Sequence, residues 1–333
     1  MISNKYSYTA AGIFPAKLLI HQKLNDYTRK FGKIFPIHIQ LNPTNRCNFN
    51  CFFCSCAGRK RNIELSYNEI YDIMTKSKQV GAESVTITGG GEPLMHRKIQ
   101  EIILSIDLLG IQIGLVTNGT LLKNLSTETL DKIVWCRISS GDNVEYSKYG
   151  MGNEKYRDML EEIVNRSNKT DWAFSHVLSR DPNYYTLEHV VKFANKHNFT
   201  HVRIVSDLLD LKYVPNMKII KEHLRKRNID DSKVFYQGRK DFTRGKNPCY
   251  ISILKPIVGA DGWIYPCCGT QYALKNPSKD YEFSMRMCKA TEIDKLYEEQ
   301  KFFDGSVCAR CYYQNYNWAL GVMLSKIDHE KFV

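Results

Sequence analysis

The stretch CNFNCFFC places Cys47, Cys51 and Cys54 at the spacing C-x3-C-x2-C. Thiolates are soft ligands that suit zinc and iron–sulfur centres. A structural metal site normally closes with four protein ligands, so three leave one coordination position open. Either a distant fourth ligand fills that position, or the opening is where the chemistry happens. Bacterial ferredoxin runs follow C-x2-C-x2-C-x3-C-P, which this is not. Zinc sites favour paired cysteines with a second pair downstream. Cys56 falls outside the triplet and reads as a bystander.

A second group lies near the other end of the chain. Cys249, Gly262 and Cys267 form C-x12-G-x4-C, and Cys308 and Cys311 follow as C-x2-C. Cys249, Cys267, Cys308 and Cys311 can close a coordination sphere around a closed iron–sulfur cluster or a tetrahedral zinc ion. Cys268 competes for one of those places. The chain has eleven cysteines, of which Cys136 and Cys288 alone stand apart from the two groups. The N-terminus reads poorly as a signal peptide, so a cytoplasmic location is expected, where metal or redox chemistry outranks disulfides.

Several elements must position these residues. Short β-rich runs at 37–42, 84–88, 111–117, 134–139, 172–179 and 201–206 alternate with helical patterns at 67–81, 96–110, 126–133, 153–168 and 186–198. Repeated strand–helix units imply parallel strands with right-handed crossovers and helices outside. In barrels of this kind the chemistry sits where strands end. The cysteine triplet follows the first strand, GGGEP (89–93) the second, TNG (117–119) the third and SSGD (139–142) the fourth. Four informative loops therefore converge on one rim. Beyond 207 the rhythm changes. Two short strands around an Asp261–Gly262 turn, a helical segment at 290–303 and the C-x2-C pair describe a small metal-stapled unit.

The chain of 333 residues suffices for one large domain and a smaller one, with 43% hydrophobic and 25% charged residues as in soluble globular proteins. No apolar run approaches the roughly 20 residues of a membrane span. Net charge is +12, and residues 218–246 hold ten Lys/Arg against four Asp/Glu. Such a stretch suits an anionic substrate or a nucleic-acid backbone, with Phe235, Tyr236 and Phe242 as stacking groups. A solvated helix and linker is the plainer reading and is preferred.

The triplet on the loop after the first strand of a parallel barrel resembles the radical S-adenosylmethionine (SAM) superfamily, over roughly residues 37–320. The resemblance implies an α/β fold, a partial (βα)6 barrel followed by a small α+β cluster-binding domain of the twitch type. The expected divisions are an N-terminal extension (1–36), the barrel (37–207), a basic linker (208–248) and the auxiliary-cluster domain (249–333). It implies that Cys47, Cys51 and Cys54 ligate a [4Fe-4S] cluster whose fourth iron is left for SAM. Phe53 occupies a position that is often aromatic in the family. Gly90, Gly91 and Glu92 match the GGE motif that receives the methionine end of SAM. Asn118 and Ser139 match positions lining the SAM pocket, with Asp142 left as an alternative to Ser139. Cys249, Cys267, Cys308 and Cys311 are implied ligands of a second, auxiliary [4Fe-4S] cluster. Asn317 stands where the longer SPASM pattern would place its next cysteine.

The implied activity is reductive cleavage of SAM, hydrogen-atom abstraction by the 5′-deoxyadenosyl radical, and a two-electron oxidation completed through the auxiliary cluster. Flavodoxin or ferredoxin would donate the electron. The general base is open among Tyr146, Arg203 and His176. A small polar metabolite, such as a sugar or aminocyclitol alcohol, is the first reading of the substrate. A peptide is the second, although fewer than 40 residues precede the first strand, too few for a leader-binding domain. A nucleotide or nucleic-acid base is the third. From another class, a non-catalytic metal-containing nucleic-acid-binding protein would use the basic stretch and turn over no SAM.

Overall fold

The computed structural model describes residues 15–207, 209–210, 215–238, 243–268, 285–325 and 328. Its centre is one sheet of nine strands in the order β7-β6-β5-β4-β3-β2-β1-β8-β9. Strands β1 (His38–Leu41), β2 (Ser84–Ile87), β3 (Gln112–Thr117), β4 (Ile133–Gly141), β5 (Asp171–Leu178), β6 (His201–Ser206) and β7 (Val234–Gln237) run parallel, each beside the next. The two edges, β7 and β9, do not pair, so the barrel is partial. Six of the seven parallel strands were expected. Each expected β1–β6 range overlaps the observed one, and the last coincides with it.

Alternation along the strands explains the layering. Ile39, Leu41, Val85, Ile87, Ile113, Leu115, Ile138, Phe174, Val202 and Ile204 are buried in one continuous core. Successive side chains of a strand point to opposite faces, so this apolar phase meets the helices. The other phase carries Gln40, Thr86, Arg137, Ser139, Ser175 and Arg203 to the concave side. Among the helices, α3 (Tyr67–Gln79) starts with a capping box, Ser66 accepting from the Glu69 N–H while Glu69 accepts from the Ser66 N–H. It buries Ile70, Ile73 and Met74.

Three local differences from expectation have physical causes. The segment read as a linker holds α9 (Met217–Lys226) and β7. Only four residues long and set among charges, VFYQ gives too short a pattern to stand out. Its aromatics are half-buried: Phe235 packs against His201 at 5.6 Å, and the Tyr236 hydroxyl donates to Asp231. They are therefore occupied in packing rather than displayed as a stacking platform, and Phe242 lies outside the described residues. The helix expected at 126–133 is one turn, α5 (Thr127–Leu130), because Ile133 already belongs to β4. A short helix after β4, α6 (Val144–Tyr149), buries only Tyr146 and left no apolar period to read.

The small C-terminal unit is joined to the barrel through the sheet itself. Strand β8 (Ile257–Val258) pairs parallel with β1, and β9 (Ile264–Tyr265) returns antiparallel after the Asp261–Gly262 turn, where Gly262 has φ +77°. The N-terminal extension is docked as well, over its described residues. Helices α1 (Ala16–Ile20) and α2 (Gln22–Phe31) bury Leu18 and Leu24. The Gln300 side chain bonds both backbone groups of Ile34, each at 2.8 Å.

Candidate active site

At the C-terminal ends of β1–β6 the loops enclose a cavity of about 270 Å³. Every residue expected at the SAM site lines it: Cys47, Cys51, Cys54, Gly90, Gly91, Glu92, Asn118 and Ser139. Residues 45–63 leave and return through a closed neck. Thr44 bridges Glu64, and the Asn45 N–H donates to the Ile63 carbonyl.

Each sulfur of the triplet meets an N–H donor from a different source. The Phe49 N–H donates to Cys47 Sγ at 3.4 Å, the Asn143 side chain bonds Cys51, and Arg59 Nη1 donates to Cys54 Sγ at 3.6 Å. Donors of this kind offset thiolate charge and tune iron–sulfur clusters. Burial, with the neighbouring Cys54, pushes the Cys51 thiol up to about 12, so metal loading must release its proton. Among the described residues no three His, Cys, Asp or Glu side chains converge as they would on a single ion. Three cysteines on one cavity wall, each with its own N–H donor, would suit an iron–sulfur cluster. Arg59 and Asn143 were not foreseen. Arg59 reads on the page as one of a run of three surface cations, yet its other bonds, to the Cys56 and Asn45 carbonyls, fold it back over the loop.

The GGGEP loop lies against the cysteine loop. The Gly91 N–H donates to the Thr44 carbonyl at 3.0 Å and the Glu92 N–H to the Arg46 carbonyl at 2.7 Å. A Cβ on Gly91 would lie 2.0 Å from the Arg46 carbonyl oxygen, so glycine is required by this contact. Gly91→Ala is expected to push the two loops apart, at a cost of about 3 kcal/mol or more. It should lower both the melting temperature and the iron bound after reconstitution. Unchanged iron content would show that the loops are independent.

Glu92 is buried, and its carboxylate is engaged within the protein. Oε1 accepts from the Thr117 hydroxyl (2.6 Å) and the Leu94 N–H (3.1 Å), and Oε2 from the Asn118 N–H (2.7 Å). It thus ties the β2 loop to the end of β3. Burial outweighs these donors and lifts its pKa from 4.5 to about 7. In Glu92→Gln, either orientation of the amide turns its NH2 toward a backbone N–H, leaving a buried donor unmet at about 1–3 kcal/mol. With its pKa raised on folding, wild-type Glu92 contributes stability fully below about pH 4.5 and loses it as pH rises through about 7. The stability gap between wild type and Glu92→Gln should therefore narrow from pH 5 to pH 8 in urea titrations. A widening gap would mean that the donors hold the carboxylate ionised.

Asn118 Nδ2 donates to Asn48 Oδ1 at 2.8 Å, joining the third loop to the cysteine loop. Of the two residues left open on the fourth strand, Ser139 lines the cavity and Asp142 does not. Asp142 is fully buried and accepts from the Ser179 and Asn183 N–H groups, with His176 Nε2 at 3.0 Å. His176 is held between Asp142 and Ser140, behind the lining residue Ser140 and not itself in the lining. It is removed from the candidates for a base on that ground. Tyr146 and Arg203 remain in the lining. Tyr146, with its pKa raised well above the ordinary value by burial, stacks parallel to Phe53 at 6.3 Å and meets Phe49 edge-on at 5.2 Å. These rings form an apolar wall beside the cysteines. Cys56 also borders the cavity, donating weakly to the Gly89 carbonyl.

The second cysteine group gathers around a narrow cavity of about 20 Å³ lined by Cys249, Cys267, Cys308 and Cys311. Cys268 is not in that lining; its sulfur lies 2.9 Å from the Tyr313 hydroxyl. Backbone bridges from Cys249 to Phe303 and from Cys311 to Thr243 bring the distant segments together. Asn317 has a positive role here. Its Nδ2 reaches Cys249 Sγ at 3.9 Å and Cys311 Sγ at 3.8 Å, while its Oδ1 accepts from the Ile251 N–H.

Comparison with known proteins agrees with the geometry. Residues 41–134 match the model of the Radical SAM superfamily. A probable GTP 3′,8-cyclase of Methanococcus maripaludis is 34% identical over 129 residues, 34% of this chain and 43% of that protein. The chain thus matches less than half the length of that relative. Among solved structures, Streptococcus suis SuiB bound to S-adenosylmethionine superposes with a TM-score of 0.58 at 18% identity, covering 85% of this chain and 71% of that one. Native anSMEcpe with bound AdoMet and a Kp18Cys peptide gives 0.51 at 13% identity, covering 90% and 86%. Among the described residues no helix is long and apolar enough to cross a membrane. The triplet, the loops that frame it and these matches together show a Radical SAM domain over residues 41–134, of the superfamily that uses SAM and a [4Fe-4S] cluster.

Proposed function

We propose that this protein cleaves SAM reductively at a cluster held by Cys47, Cys51 and Cys54, and directs the resulting radical at a C–H bond of a small polar metabolite. The observation that carries this reading is the meeting of all eight expected residues in one cavity. When bound, the cluster and SAM supply a one-electron cleavage to methionine and a 5′-deoxyadenosyl radical. The chain's own residues do the rest. Three cysteines hold the cluster and leave one iron open. With Glu92 tied to β3, the carbonyls of Gly90 and Gly91 are the groups of that loop left to meet the methionine ammonium. Ser139 and Asn118 border the pocket. The Phe49–Phe53–Tyr146 wall excludes water, which would quench a radical.

Cys249, Cys267, Cys308 and Cys311 would hold an auxiliary [4Fe-4S] cluster, able to accept an electron and make the net change an oxidation. A flavodoxin or ferredoxin would supply the first electron. A single zinc ion is the second reading for this site, favoured by its volume of about 20 Å³. The names of the relatives keep two further substrates in play: a nucleotide, from the cyclases, and a peptide, from the solved structures.

The test is anaerobic reconstitution with iron and sulfide, metal counting, and 5′-deoxyadenosine measurement with SAM and dithionite. About eight irons per chain with cleavage supports two [4Fe-4S] clusters. About four irons with one zinc keeps the enzyme and makes the second site structural. No iron and no cleavage returns the chain to a binding protein.

A further inference from the structure

The wall of the cavity opposite the cysteines has a charge pattern of its own. Across β4, β5 and β6, Ser139, Ser175 and Arg203 stand in one register row, and Arg137, Ala173 and His201 in the row two residues earlier. Both rows share a face, since they differ by a full strand period. Arg203 Nη2 donates to Ser175 Oγ at 3.2 Å, and Arg203, Ser175 and Ser139 line the cavity. The charged side chains among the described lining residues are Arg59, Arg203 and Glu92, and the Glu92 oxygens are taken up by protein donors. Burial, then the charges of Arg137 and Arg203, push His201 down to about 3, so it stays neutral beside them. Half-buried guanidinium groups gathered on one wall are stabilised when an anion joins them.

We propose that Arg203, with Ser175 and Ser139 beside it and Arg137 behind, is the anion subsite of the substrate, and takes a phosphate or carboxylate group of a small molecule. The inference rests on the reading of this cavity as the radical site and narrows its substrate to anions. The guanidinium fork presents paired N–H donors to two oxygens, and the serine hydroxyls supply further donors. The anchored end lies on the wall facing the cysteines, which leaves the rest of the substrate to extend toward the radical.

The experiment titrates reconstituted holoprotein, saturated with SAM at fixed ionic strength, with pyrophosphate in one arm and malonate in the other, by calorimetry. Binding of either probe that falls at least tenfold in Arg203→Gln, and by less in Arg203→Lys, supports the subsite. The arm that binds identifies phosphate or carboxylate as the group recognised. Three results overturn it: neither probe binds, binding is unchanged in both variants, or a probe binds only when SAM is left out, which would assign the arginine to the SAM carboxylate. An equal loss in Arg225→Gln, on the exposed face of α9, would reduce the effect to general charge and also overturn it. If Arg203→Gln does not fold, Ser175→Ala replaces it, with a loss of about threefold expected and no loss overturning the proposal. Formation of 5′-deoxyadenosine by the wild-type holoenzyme without substrate checks the underlying radical reading separately.

Discussion

Cys51→Ala is expected to abolish 5′-deoxyadenosine formation, a loss of at least about a thousandfold, while the second metal site stays loaded. On the proposed assignment the cluster would have three protein ligands, so losing one leaves two thiolates. Cys56 borders the same cavity and is the nearest alternative, but its thiol is directed at the Gly89 carbonyl. Structural damage should be slight, because alanine removes only the sulfur from a loop closed at Thr44–Glu64 and clamped by Arg59. Iron per chain should fall by about half if two [4Fe-4S] clusters are present. Residual cleavage in that variant would show that another residue completes the ligand set.

The second large effect is expected at the C-terminal site. Cys308→Ala should keep SAM cleavage but reduce product formation at least about a hundredfold, because the radical left on the substrate loses its electron acceptor. The separation of the two readouts matters, since a folding defect would depress both. Burial raises the Cys308 thiol to about 11 and, with the neighbouring Cys311, the Cys249 thiol to about 12, so binding a metal there must release protons. Full product from the variant would make the site structural, consistent with zinc.

How much of this was legible in the sequence depends on the range of the interaction. The cysteine triplet is local: eight residues fix three sulfurs on one loop, and the strand before it fixes which rim they join. Strand order was also readable, because repeated βα units permit few topologies. Direction was not. Glu92 belongs to a recognisable motif, yet only the fold shows its carboxylate turned to Thr117 and Asn118. His176 and Asp142 look like reactive groups in one dimension and prove to be a buried pair that pins the loop after β5. Asn317 marked the lack of a cysteine on the page; in space its amide reaches two sulfurs. The seventh strand was missed because four residues carry too little alternation to compete with ten nearby cations.

Strand β8 borders β1, in the register Gln40 opposite Ile257 and Leu41 opposite Val258. The first metal loop leaves from the end of β1, and Cys267 follows two residues after β9. The two cysteine sites thus hang from strands β1 and β9 of a single sheet, with only β8 between them. If both sites hold the clusters proposed for them, the paired strands β1, β8 and β9 that carry these loops would set the length of the electron path between them.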